Sequence, residues 1–143
     1  MDKIPSFSKN HDTLAVGLHK SMEMHGVTTW DLRFKKPNAG DYVSPKALHT
    51  IEHLLATVLR NSPEKDNVIY FGPMGCRTGF YLLTVNLDRA EVLKLLSEAC
   101  ATALTLDEIP GSKREECGNY LEHDLADAKR ELELYSEILR KIL

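Results

Sequence analysis

No run of about eighteen apolar residues occurs anywhere in the 143-residue chain, so no segment is expected to span a bilayer. The first residues, Met1-Asp2-Lys3-Ile4-Pro5, lack the apolar stretch and small-residue cleavage site of a secretory signal, and none is expected. Cysteine is scarce. Three residues, odd in number and widely spaced, do not make a disulfide scaffold; they fit a reducing cytoplasm, where a thiol packs, ligates or catalyses. A basic excess is missing too: the net charge is -3 and the pI about 6.1, which argues against a dedicated nucleic-acid surface. Repeats, low-complexity tracts and long linkers are absent, so residues 1–143 are read as one domain. What remains is 43% apolar and 27% charged, enough at 16.1 kDa for one sizeable core.

Strands and helices alternate along the chain. Thr13 to Met22 and Val27 to Phe34 read as strands around a His25-Gly26 turn. In the second, Trp30, Leu32 and Phe34 alternate with Asp31, Arg33 and Lys35, the period of a half-buried strand. Pro37-Asn38-Ala39-Gly40 breaks the chain, and Ser44-Pro45 then starts a helix that should run to about Asn61, with Leu48, Ile51, Leu55, Val58 and Leu59 as its apolar stripe. Val68 to Phe71 and Phe80 to Leu87 read as strands joined by the glycine-rich loop from Gly72 to Gly79. A second helix begins at Asp88, with Glu91 three residues on as a capping box and Val92, Leu95, Leu96, Ala99 and Ala103 as its stripe. Pro110-Gly111 marks a loop. The last helix is expected from about Tyr120 to Ile142, with an apolar seam (Leu121, Leu125, Ala128, Leu132, Tyr135, Leu139, Ile142) read as lying on a sheet. The class that follows is α+β: a mostly antiparallel sheet packed against helices, with a dimer as one way to cover the other sheet face.

The sharpest chemical signal is His49-Thr50-Ile51-Glu52-His53. Histidines four apart lie about 40° apart on a helix, so both imidazoles can reach one metal ion. Glu52, offset on the same side, suits a carboxylate that handles a proton beside the metal. The bland alternative is a pair of solvated histidines. Cys117, ahead of Gly118-Asn119 in a charged loop, is the best third ligand. Cys100 falls on an apolar helical stripe and reads as core. Cys76 sits next to a glycine in the glycine-rich loop and precedes Arg77, where it could be a ligand, a nucleophile, an acid/base or a turn residue without a role.

Taken together, His49-Thr50-Ile51-Glu52-His53, then Gly72-Pro73-Met74-Gly75-Cys76-Arg77-Thr78-Gly79-Phe80-Tyr81, then Cys117-Gly118-Asn119 with His123-Asp124-Leu125, resemble the S-ribosylhomocysteine lyase (LuxS) family, which makes the precursor of autoinducer-2. Ser6-Phe7, His11, Trp30 to Phe34, Pro37-Asn38 and the run from Leu54 to Arg60 extend the resemblance over nearly the whole chain. The resemblance implies a cytoplasmic homodimer with active sites at the interface. It also implies one divalent metal per subunit, Fe2+ replaceable by Zn2+ or Co2+, on His49, His53 and Cys117. Glu52 and Cys76 would be the acid/base pair, Ser6, His11 and Arg33 would line the sugar end of the pocket, and Arg60 would reach the homocysteine end. The implied reaction cleaves the thioether of S-ribosylhomocysteine to homocysteine and 4,5-dihydroxy-2,3-pentanedione, through carbonyl migration from C1 to C3 and β-elimination.

The chain departs from the family pattern at Tyr70-Phe71-Gly72, where an acidic and a small polar residue are usual, and in its short first hairpin. Two other readings stand beside the resemblance. One is an inverted-zinc metallopeptidase, whose H-x-x-E-H helix has the same spacing. The other is a metal-stabilised interaction module in which a fourth protein ligand such as Cys76 closes the site.

Overall fold

The structure, a computed structural model, describes residues 1–143. Strands β1 (Gly17–Met24) and β2 (Val27–Arg33) meet at His25-Gly26, whose φ values of +53° and +78° are those of the tight turn that matches strand twist. β1 begins later than the expected Thr13. Lys36 Nζ donates to the carbonyls of Asp12 at 3.0 Å and Leu14 at 3.4 Å, which holds these residues in an arm rather than a ladder. Strands β3 (Val68–Pro73) and β4 (Gly79–Val85) complete an antiparallel sheet in the order β1-β2-β4-β3. β4 stops short of the expected Leu87 because Asn86 turns the chain at φ +59°. Gly79 is required where β4 crosses β2: a Cβ there would run into the Leu32 carbonyl.

Three helices cover one sheet face: α1 (Pro45–Arg60), α2 (Arg89–Leu104) and α3 (Leu125–Ile142). Ser44 caps α1 by accepting the Ala47 N–H at 3.2 Å, and the Asp88–Glu91 capping box opens α2 as expected. Helix α3 starts at Leu125 instead of Tyr120. The Glu122 carbonyl accepts a hydrogen bond from His49, and the Asp124 N–H donates to Thr50 Oγ1, so α1 side chains take the backbone groups that an earlier helix turn would need. Leu121, expected in the seam, is 74% exposed. The rest of the seam turns inward: Ala128, Leu132, Tyr135 and Leu139 are buried in the common core with Leu32, Leu82, Ile51, Leu55 and Leu96. Each such leucine contributes roughly 1.5–3 kcal/mol by leaving water. Cys100 is buried there too, and burial pushes its thiol up to about 12, an inert packing group as read.

The opposite sheet face departs from simple alternation. Asp31 and Arg33, read as the polar side of a half-buried strand, are both buried. Next to them Thr29, Tyr81, Leu83 and Val85 are half-buried, while Ile69 and Tyr70 are 44% and 50% exposed. The ring of Tyr70 lies across Gly72, where a Cβ would stand 2.5 Å from the phenol oxygen, so the two residues of this unusual segment suit each other. No helix is long and apolar enough to cross a membrane.

Ser44 joins two helices, because its hydroxyl also donates to Asp127 Oδ2 at 2.7 Å. Ser44→Ala is expected to lower unfolding free energy by about 1–2 kcal/mol, read as a lower urea midpoint with an unchanged slope.

Candidate metal centre

Helix α1 splits its surface by function. Ile51, Leu54, Leu55 and Leu59 enter the core, and His49, Glu52, His53 and Arg60 occupy the flank that the 3.6-residue period leaves outside it. The histidine rings are fixed from behind. His49 Nδ1 lies 2.7 Å from the Glu122 carbonyl and His53 Nδ1 lies 2.8 Å from the Pro110 carbonyl. A carbonyl only accepts, so each Nδ1 carries the proton and each Nε2 presents a lone pair. Both lone pairs face Cys117 Sγ, at 3.4 Å from His49 Nε2 and 3.9 Å from His53 Nε2. Ligand atoms around a tetrahedral ion with ordinary metal–N and metal–S bonds stand roughly 3.5 Å apart, so the spacing fits one ion. Two imidazoles and a thiolate suit a borderline-soft divalent transition metal and not Mg2+ or Ca2+.

A fourth side chain stands beside these three. His123 Nε2 is 3.8 Å from Cys117 Sγ, its ring stacks on His49 with centroids 3.9 Å apart, and all four donor atoms lie within 4.8 Å of one another. Its Nδ1 is 2.9 Å from Thr50 Oγ1. The sequence reading included His123 only in a motif and gave it no role. The signal was its place six residues after Cys117, which becomes informative only once the loop is known to fold back on α1. Cys76, weighed as a closing fourth ligand, is not in this cluster.

Beside the histidines a cleft of about 470 Å³ is lined by Glu52, His53, Arg60, Tyr70, Gly111 and Glu116, among others. Arg60 donates to the Ile69 carbonyl at 2.7 Å, which anchors its head at the β3 edge.

The remaining sequence-picked residues gather elsewhere. Arg33 lies along Asp31, with Nε 3.0 Å from Oδ1 and Nη2 2.6 Å from Oδ2, and its Nη1 donates to Thr78 Oγ1 at 2.7 Å. Cys76 Sγ is 3.1 Å from that hydroxyl and 4.0 Å from Nη1. Burial pushes the Cys76 thiol up, but hydrogen bonds to Thr78 and the Arg33 charge outweigh it and leave the pKa below the ordinary thiol value. Ser6, in the N-terminal arm, lines a small pocket with Thr29 and Tyr81, and His11 Nδ1 lies 3.1 Å from the Lys9 carbonyl. The histidine cluster, with Glu52 and Arg60, shares no hydrogen bond with the group of Arg33, Cys76, Ser6 and His11.

An α+β domain with a thiol and histidines converging on a helix, a carboxylate and a cleft beside them, and a separately activated cysteine has the parts of a metal-site enzyme. Similarity to known proteins makes the class particular. The family model described as S-ribosylhomocysteinase (LuxS) matches residues 4–142. Relatives named S-ribosylhomocysteine lyase include one from Borreliella afzelii, 42% identical over 99% of this chain and 95% of its own length. Another, from Phocaeicola vulgatus, is 44% identical over 94% of this chain and 88% of its own, and one from Porphyromonas gingivalis is 41% identical over 100% and 92%. The chain belongs to the LuxS family, a family of enzymes, and the peptidase reading gives way to it.

Crowding around His123 has a pH signature in the metal-free protein. Burial, then the His49 and His53 charges, lower its pKa to about 4 from an ordinary 6.5. The folded state therefore binds the proton less readily than the unfolded chain, and stability is expected to fall as pH drops from about 6.5 to 4. His123→Asn should flatten that part of a metal-free stability–pH profile.

Proposed function

We propose that this enzyme is a metal-dependent S-ribosylhomocysteine lyase, releasing homocysteine and 4,5-dihydroxy-2,3-pentanedione. The observation that carries the reading is the convergence of His49, His53 and Cys117 beside Glu52, within a family match that spans the chain. His49, His53 and Cys117 would hold one divalent ion, Fe2+ with Zn2+ or Co2+ as substitutes. Bound there, the ion supplies Lewis acidity to a sugar carbonyl oxygen.

The chain's own residues move protons. The thioether sits on C5 of the ribose, too far from the C1 carbonyl for direct elimination. A base takes the C2 proton and an acid returns it to C1, which moves the carbonyl to C2; the same exchange between C3 and C2 moves it to C3. Loss of the C4 proton then breaks the C5–S bond, homocysteine departs as a thiolate that is reprotonated, and the remaining enol tautomerises to the diketone. The atoms balance without water. Protons move on several carbons, so two differently placed groups serve better than one, and Glu52 and Cys76 fill these roles. A cysteine held beside Arg33 and the Thr78 hydroxyl is suited to cycle between thiolate and thiol.

The two groups of residues come from different parts of the chain, and a homodimer that brings Cys76, Arg33, Ser6 and His11 of one subunit to the metal of the other is the arrangement we favour. Supporting it is the apolar outer sheet face, with Tyr70 50%, Ile69 44% and the arm's Phe7 69% exposed. Arg60 and Tyr70 in the cleft would meet the homocysteine end. Tyr70 and Gly72 offer no carboxylate for its ammonium, which leaves Glu52 and Glu116 as the acidic groups lining this cleft. The setting is a cytoplasmic one, with product serving autoinducer synthesis.

His53→Ala is expected to lose most bound metal, read by elemental analysis after gel filtration. Cys76→Ala should keep the metal and lose about 10²–10⁴-fold in turnover, the usual worth of a proton-transfer group. The decisive assay is thiol release from S-ribosylhomocysteine by anaerobic protein loaded with Fe2+ or Co2+. Release that Glu52→Gln abolishes supports the reading; no release from folded, metal-loaded protein refutes it.

A further inference from the structure

The buried Asp31–Arg33 pair has a third member. Lys9 Nζ lies 2.7 Å from Asp31 Oδ2, with its side chain only 18% exposed and the carboxylate fully buried. Residues two apart on β2 share a face, so Asp31 and Arg33 stand side by side on the outer side of the sheet, and Lys9 reaches them from the arm. One carboxylate shared by two cations leaves a unit of positive charge. The only Arg33 nitrogen not turned to Asp31 is Nη1, which points at Thr78 and Cys76. Other charges near the sulfur do not supply this: the neighbouring Arg77 head turns away, donating to the Val43 carbonyl at 3.2 Å and stacking over Tyr42.

Lys9 is also a tether. The arm before β1 has one short helical turn and no strand, and Lys9 is the arm residue whose side chain is ion-paired to the sheet. Its own carbonyl meets His11, and Ser6 lies three residues before it. Without the ammonium, Asp31 and Arg33 would neutralise each other and the arm would lose its side-chain anchor. The Ser6 and His11 positions would then rest on weaker contacts.

We propose that Lys9 is a positioning residue, whose ammonium on Asp31 both fixes the arm that carries Ser6 and His11 and leaves the Arg33 guanidinium free to favour the Cys76 thiolate. The inference rests on Cys76 acting in proton transfer, so its test is made independent of turnover. Alkylation of Cys76 by iodoacetamide, followed against pH on metal-loaded protein by peptide mass spectrometry, reads the thiolate directly. Lys9→Met should slow Cys76 alkylation at neutral pH about threefold and move its profile up by about half a pH unit. Lys9→Gln, close in length and still able to hydrogen-bond Asp31, should do the same, while Lys9→Arg should restore the wild-type profile. It should also restore the KM for S-ribosylhomocysteine, which Lys9→Met raises. Circular dichroism confirms folding, and Lys9→Gln decides the matter if Lys9→Met does not fold. An unchanged Cys76 profile in folded Lys9→Gln overturns the proposal. Failure of the lyase reading would appear separately, as wild-type protein without turnover.

Discussion

Three side chains of one helix hold the site together by bonding to the backbone of a loop. His53 meets the Pro110 carbonyl, His49 meets the Glu122 carbonyl, and Thr50 accepts the Asp124 N–H. The twenty residues 105–124 have no helix or strand of their own, an unusual length for a compact domain, and their path over α1 depends on these bonds. The same contacts that orient the imidazoles bring Cys117 to them and set where α3 can begin. Gathering the candidate ligands and folding the loop are therefore one event: each Nδ1–H satisfies a backbone acceptor, and each Nε2 is left free for a metal ion.

A second polar assembly stands on the other side of the sheet, and charge arithmetic governs it. A buried carboxylate costs several kcal/mol unless it is paired, and Asp31 is paired twice. The surplus cation is then delivered through a rigid guanidinium to a hydroxyl and a thiol. Arginine suits this because its planar fork grips the carboxylate with two nitrogens and still has a third to offer. In one assembly protonated nitrogens face carbonyls so that lone pairs face the Cys117 sulfur; in the other, excess positive charge faces the Cys76 thiol. Lone pairs and a sulfur that face one point suit a cation placed between them, whereas a cation beside a thiol favours its ionised form.

Much of this was legible in order along the chain. Period-two alternation placed β2, proline and serine placed the start of α1, and the Asp88–Glu91 pair placed α2, because these signals act within a few residues. The expected hairpin turn at His25-Gly26 and the core role of Cys100 followed from the same local rules. Misjudged boundaries have distant causes. The segment before β1 is held by Lys36 at the Asp12 and Leu14 carbonyls, and Tyr120 to Asp124 is kept out of α3 by His49 and Thr50, residues that no local window connects. Asp31 and Arg33 looked like a solvated face because alternation carries no information about an arm that returns to cover them.

The sequence by itself determined the α+β class, the helix that carries His49, Glu52 and His53 on one flank, and the family to which the chain belongs, since motif order and spacing are properties of the chain. Only the tertiary structure decided that His123 joins Cys117 and the two histidines, that Arg33 is buried against Asp31 with a face left for Cys76, and that Lys9 shares that carboxylate. Those relations are distances between residues far apart in the chain. They are fixed by which buried polar groups find partners once the chain has collapsed, and periodicity along the sequence does not record that.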